Sequence, residues 1–330
     1  MTRRRGLVVA AALGSLVAPL AGRSQPTKAI RRIGWLSPNQ SASTTVQSAI
    51  SLIRASLRRA GWEEGAKLLI EWRFAEGDVA RLDALAQELV RLDPELIVAN
   101  ADPAIAAAKR ATSRIPIVMF GGWLPVEAGF VRSLARPGSN ITGMAIPGAE
   151  TDAKSLQILK QAVPALTRLA VLTNPASPDA SVLNAARKRA AGVLGMTIEF
   201  YHVTRPDEVP AALDRMVAGR AEMMLVGAGG IAESRVREIT SFAIQHQIVT
   251  IGTNPFFPRA GGAMSYGPNF AENVDRFVSY IDRILRGARP EDLPVEEPTK
   301  FDLILNLKTM RAIGLTVPQA LLLRADEVIE

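Results

Sequence analysis

The chain writes one strand–helix paragraph twice, and that duplication limits what it can fold into. The first copy runs RRIGWLS, a helix closing at LRRAGW, LLIEWRFAEG, a helix closing at RLDP, ELIVAN, a helix, and IPIVMFG. The second runs TRLAVLT, a helix closing at AGVLGM, TIEFYHVTRP, a helix closing at VAGR, AEMMLVG, a helix, and IVTIGTN. Strands alternating with helices build parallel sheets that helices cover. Two such copies predict an α/β protein of two similar doubly wound parallel-sheet lobes. Parallel sheets take ligands just beyond the carboxyl ends of their strands. Two sheets facing each other therefore enclose a cleft with binding loops on both walls.

The order of elements sets the expected domain boundaries. Residues 25–143 with 268–295 form the first lobe, and residues 144–267 with 296–330 form the second. The chain crosses near 143–148, 264–268 and 290–300, which makes a multi-crossing hinge. Helices are expected over Thr44–Ala60, Asp78–Leu92, Ala104–Ser113, Val126–Ala135 and Asp152–Ala162. Phe270–Arg286 carries Phe270, Val274, Phe277, Val278, Ile281 and Leu285 on one stripe, as a helix on a core does. A last strand is expected over Leu303–Leu307, followed by a short helix and an apolar-acidic tail.

Residues 1–24 read as a leader. Arg3, Arg4 and Arg5 precede an apolar run from Gly6 to Leu20, and small and polar residues follow to Gln25. That order is the one a secretory signal peptide uses, with cleavage expected before Gln25. The run is short for a membrane span. Losing the leader removes four arginines, so the formal charge falls from +7 to +3, with 35 basic against 32 acidic residues. No basic stripe is interleaved with aromatics, so nucleic acid is not an expected partner.

Catalytic chemistry finds little to stand on. The 330 residues contain no cysteine and two histidines, His202 and His246, neither of them beside a carboxylate–nucleophile set. Hydrolase, metalloprotease, P-loop and EF-hand spacings are absent. Gly227–Ala232 does satisfy G-x-G-x-x-A between a strand and a helix, the context of a dinucleotide fingerprint. The acidic ribose partner that should end the next strand is replaced by Gly252-Thr253-Asn254. No enzyme activity, cofactor or metal is expected; a nucleotide-cofactor enzyme is the weaker alternative.

The expected ligand contacts are the residues at the strand ends. In the first lobe these are Ser37, Asn39, Asn100, Asp102, Gly121, Gly122 and Trp123. In the second they are Thr173, Asn174, Gly227, Gly229, Thr253 and Asn254, with Tyr266 on the return strand. Hydroxyls and amides orient a polar ligand, and helix N-termini offer free N–H groups. Trp123, Phe256, Phe257 and Tyr266 supply apolar or stacking surface.

Several blocks resemble a known family: SLARPGSNITG at 133–143, MSYGPN at 264–269, DLPVEEPTKF at 292–301, LNLKT at 305–309, GLTVP at 314–318 and RADEVI at 324–329. By these the chain is similar to the periplasmic substrate-binding proteins of ABC transporters, in the branch labelled tryptophan/tyrosine-type. The resemblance implies a type I periplasmic-binding fold that closes on a small polar or amino-acid-like ligand and presents it to a membrane permease. It also implies a periplasmic location, and a monomer is expected. A ligand sensor with a membrane signalling partner would share the fold. Two expected pocket loops depart from the family pattern. Gly122-Trp123-Leu124-Pro125-Val126 stands where Gly-Asp-Pro-Val is common, and Gly227-Ala228-Gly229-Gly230 where an Asp-Pro pair is common.

Overall fold

The computed structural model describes residues 30–227 and 229–330, so the expected leader lies outside it. The first lobe runs β1 (Arg31–Ser37), α1 (Thr44–Arg59), β2 (Leu68–Phe74), α2 (Leu82–Arg91), β3 (Leu96–Asn100), α3 (Ala101–Ala111), β4 (Ile117–Trp123) and β5 (Ile141–Ile146). Its five strands are all parallel, in the order β2-β1-β3-β4-β5. Strand β3 is buried along Leu96–Ala99, the uniform apolar run of a strand covered on both faces.

The second lobe begins with α4 (Gly148–Ala162), β6 (Arg168–Thr173), α5 (Ala180–Val193), β7 (Thr197–His202), α6 (Val209–Ala218) and β8 (Met223–Val226). It continues with α7 (Gly230–Ser234), α8 (Val236–Gln245), β9 (Val249–Gly252), α9 (Phe256–Arg259) and β10 (Met264–Pro268). The chain then crosses to lay α10 (Phe270–Leu285) on the first lobe. It returns as β11 (Phe301–Asn306), α11 (Leu307–Ala312), α12 (Gln319–Leu322) and β12 (Glu327–Ile329). The second sheet has the order β12-β11-β10-β9-β8-β6-β7. Its β7-β6-β8-β9-β10 portion repeats the order of the first sheet. The two added strands break the symmetry, because β11 runs antiparallel to β10.

Helix α10 is what ties the crossings to a core. Its buried face, Val274, Phe277, Val278, Ile281 and Leu285, packs with Trp35, Leu96 and Val98 of the first sheet. Phe277 meets Trp35 edge-on at 5.8 Å and lies 4.5 Å from the Phe120 ring. Burying side chains of this size stabilises by about 1.5–3 kcal/mol each. At the helix start, the Asn269 side chain accepts a hydrogen bond from the Glu272 N–H, which fixes the entry point of the crossing.

One local expectation is corrected. No helix forms over 126–135. The Pro125 carbonyl accepts from the N–H groups of Phe130 and Val131, and Gly129 adopts φ +70°, so a single turn closes and cannot propagate. Strand β5 keeps pairing with β4 through Ile146, and α4 begins at Gly148. The acidic tail also does more than expected: Glu327–Ile329 pairs with β11 as an edge strand.

Candidate functional site

A cavity of about 280 Å³ lies between the lobes, walled by the carboxyl ends of strands from both sheets. Asn100 ends β3 and Trp123 ends β4; across from them Thr173 ends β6, Val226 ends β8 and Gly252 ends β9. Eleven of the fourteen expected contact residues line it: Asn39, Asn100, Asp102, Gly121, Trp123, Thr173, Asn174, Gly227, Gly229, Thr253 and Asn254. The lobes are closed on each other. A Cβ placed at Gly230, on the second lobe, would stand 2.6 Å from Asn39 Oδ1 and 3.3 Å from the Pro38 ring, on the first.

Ser37, Gly122 and Tyr266 are not on the cavity wall, each for a local reason. Ser37 is buried below the floor, where its hydroxyl accepts from the Asn39 N–H at 3.3 Å and from Asn100 Nδ2 at 3.4 Å. It positions two wall residues without reaching the cavity. Gly122 is turned aside by a bulge. The β4–β5 register shifts at Gly121, which takes φ +77°, and a Cβ on Gly122 would meet Met119 and Ile105 beneath α3. Tyr266 shares a face of β10 with Met264, as alternation requires, and stacks on Phe301 at 5.6 Å in the second lobe's core.

Turn chemistry fixes several wall residues. Asn174 Oδ1 accepts from the Ala176 N–H at 3.0 Å and Asn254 Oδ1 from the Phe256 N–H at 2.9 Å, both as Asx turns. Asn254 Nδ2 donates to Glu233 Oε1 at 3.1 Å. Ala101, between two wall residues, is held at φ +64°, a strained conformation for a residue with a Cβ. Aromatic rings line the hinge side. Phe256 meets Phe270 edge-on at 5.2 Å, and Phe270 meets Phe120 at 6.0 Å.

The wall also holds charged groups that the loop-end reasoning missed. Arg187 donates from Nε to Asp152 Oδ2 at 2.7 Å, with both side chains under 5% exposed. Asp179 accepts from the Ser177 hydroxyl, and Glu233 sits beside Asn254. A sequence signal for Arg187 did exist. Ala180, Leu183, Arg187 and Ala191 recur along one buried helical stripe, and a charge on such a stripe needs a buried partner. Asp152 occupies the equivalent place on α4, with Ser155, Leu156 and Leu159.

Burial raises the Asp102 carboxyl well above its ordinary range, and the facing Asp179 carboxylate pushes it further, against one hydrogen bond from the Trp123 N–H at 3.0 Å. Burial likewise raises Asp152, opposed by Arg187, and raises Glu233, opposed by Asn254. A carboxyl raised in the folded state contributes stability that is full below its ordinary pKa of 3.8 and is lost as pH rises through the raised value. Ligand-free wild type should therefore lose stability relative to Asp102→Asn as pH climbs above 3.8, the other ionisable groups on the cavity wall being Asp179, Asp152, Glu233 and Arg187. Thermal melts of both proteins across pH check this; a constant difference between them would contradict it.

The comparisons with known proteins agree with this fold. Residues 44–329 match the family model described as ABC transporter substrate binding protein. A tyrosine-binding protein of Clostridioides difficile (strain R20291) is 24% identical over 260 residues, covering 79% of this chain and 74% of that protein. Among solved structures, a conserved domain protein from Vibrio cholerae superposes with a TM-score of 0.84 at 23% identity, covering 90% of this chain and 99% of that one. An ABC domain in complex with L-Trp from Streptococcus pneumonia gives 0.83 at 21% identity, covering 91% and 100%. The ligand-free, open structure of a Clostridium difficile substrate-binding protein gives 0.62 at 22% identity, covering 91% and 99%.

Proposed function

This chain belongs to the family of ABC transporter substrate-binding proteins, and on that premise we propose that it captures one small organic solute per chain in the interlobe cavity and delivers it to a membrane permease. The observation that carries the reading is the cavity itself, built from strand ends of both sheets. A ligand touching both walls binds the closed arrangement better than the open one, so it shifts the population toward closure. Family members are exported, and for this chain the leader at 1–24 supplies the route, with the mature protein acting as a monomer in the periplasm. The described residues include no helix long and apolar enough to cross a membrane. The metal-site pattern of three or more His, Cys, Asp or Glu side chains is likewise absent among them.

The tyrosine-binding relative and the L-Trp-bound structure make those amino acids and their close analogues the first compounds to test. The test is calorimetry on protein beginning at Gln25 and freed of bound solutes by unfolding and refolding. Saturable binding at one site per chain supports the reading, and the absence of binding to any small solute ends it. Asn100→Ala and Thr173→Ala, from facing strand ends, should each weaken binding about tenfold, the ~1.4 kcal/mol of a lost polar contact. Unchanged affinity in both would remove these residues from the site. N-terminal sequencing of protein recovered from a periplasmic fraction tests cleavage before Gln25.

A further inference from the structure

We propose that the solute this cleft selects is an organic cation, an aromatic or heteroaromatic amine that needs no carboxylate, with its ammonium group held between Asp102 of the first lobe and Asp179 of the second. The inference rests on the capture function proposed above and names the chemical class of its ligand.

The charge balance of the wall is the first observation. Among the described residues, four carboxyl groups line the cavity (Asp102, Asp152, Asp179 and Glu233) against one guanidinium, that of Arg187, so acidic groups outnumber basic ones four to one. Arg187 is committed: Nε donates to Asp152 and Nη1 to Asn184 Oδ1 at 2.9 Å. Even so, Asp152 Oδ1 is buried on the wall with no hydrogen-bond partner. A buried carboxylate oxygen without a donor is costly, and a ligand N–H is the group that would satisfy it.

The second observation is where the acids sit. Helix N-termini are the places a ligand carboxylate would favour. The first turn of α3 already carries Asp102, which accepts from the Trp123 N–H, and Asp179 precedes α5 and accepts from Ser177. The protein has placed its own anions there. A ligand carboxylate would be left with Nη2 of Arg187, whose charge Asp152 already balances. Asp102 and Asp179 come from opposite lobes and line the same cavity. Like charges brought together on closure repel; an ammonium inserted between them converts that repulsion into attraction and couples ligand charge to closure. The described residues form no three-group metal site, and Phe120, Phe256 and Phe270 line one side. Both features favour an organic cation with a flat apolar body over a metal ion.

The experiment compares matched series on the refolded protein by calorimetry and thermal shift. Each body, indole, phenyl and hydroxyphenyl, is offered as the amine (tryptamine, phenethylamine, tyramine), the amino acid, the propionate and the uncharged parent. The expected result is that at least one amine binds tenfold or more tighter than its own amino acid, while propionates and neutral parents leave the melting temperature unchanged. Asp102→Asn and Asp179→Asn should each cut amine affinity at least tenfold with an unchanged circular dichroism spectrum. If an amino acid or a propionate binds more tightly than the matching amine, the inference fails and the capture function stands. If no member of any series binds, the inference fails, and the capture function falls only if solutes of other chemistry also fail to bind. If the amine binds but both Asn variants retain its affinity, the assignment to Asp102 and Asp179 is overturned.

Discussion

Replacing Arg187 with alanine is expected to cost about 3–5 kcal/mol and to lower the melting temperature of the second lobe by roughly 10 °C. The size follows from burial. Arg187 and Asp152 pack between α5 and α4, with side chains 4% and 2% exposed, and their 2.7 Å contact is the principal compensation for taking two charges out of water. Removing the guanidinium leaves Asp152 with both carboxylate oxygens unpaired, and Oδ1 has no partner even in the intact protein. The penalty is that of a stranded buried charge, which exceeds the net worth of the pair. It follows that removing both charges hurts less than removing one. A combined Asp152→Leu, Arg187→Met protein should recover most of the lost stability, because apolar groups of similar volume fill the gap without desolvating a charge. Denaturant melts of wild type, the single variant and the double variant decide the matter. A single variant within about 1 kcal/mol of wild type would show that water solvates the pair despite its burial.

The second large effect concerns closure. Gly230→Trp should reduce ligand affinity at least a hundredfold, about 2.7 kcal/mol, while leaving both lobes folded. Gly230 sits where the second lobe meets the loop after β1, with Asn39 and Pro38 facing it. A methyl group there is accommodated by turning the Asn39 amide, but an indole has no such escape and props the lobes apart. The ligand then contacts one wall and loses the other. Small-angle scattering should report a larger radius of gyration with ligand present than wild type shows. A control on the exposed helix surface, Val193→Trp, should change neither quantity, since Val193 is 87% exposed. Wild-type affinity in the Gly230 variant would mean that binding does not require the closed arrangement seen here.

The residues themselves determined the duplicated architecture and the address of the site. Period-2 and uniformly apolar runs alternating with amphipathic stretches specify parallel sheets, and parallel sheets put their loops at strand carboxyl ends. Asn100, Thr173, Gly227 and Asn254 were therefore legible as wall residues without coordinates, because a strand end is a local property. Local pattern misled where one residue changed the outcome. Gly129 stops the helix expected over 126–135, and the bulge at Gly121 turns Gly122 into the core. Tyr266 looked like a stacking group, yet its place on β10 fixes it beside Phe301.

What tertiary structure alone decided is the electrostatics of the cleft. Asp102 and Asp179 are 77 positions apart in sequence and lie in different lobes, and only the meeting of the lobes puts both on one cavity wall. Asp152 and Arg187 read individually as ordinary helix charges until α4 packs on α5 and removes both from water. Hydrophobic pattern is written in nearest neighbours along the chain and can be read there. The state of a carboxyl depends on every charge and dielectric boundary within several ångströms, and that neighbourhood does not exist until the fold has assembled it.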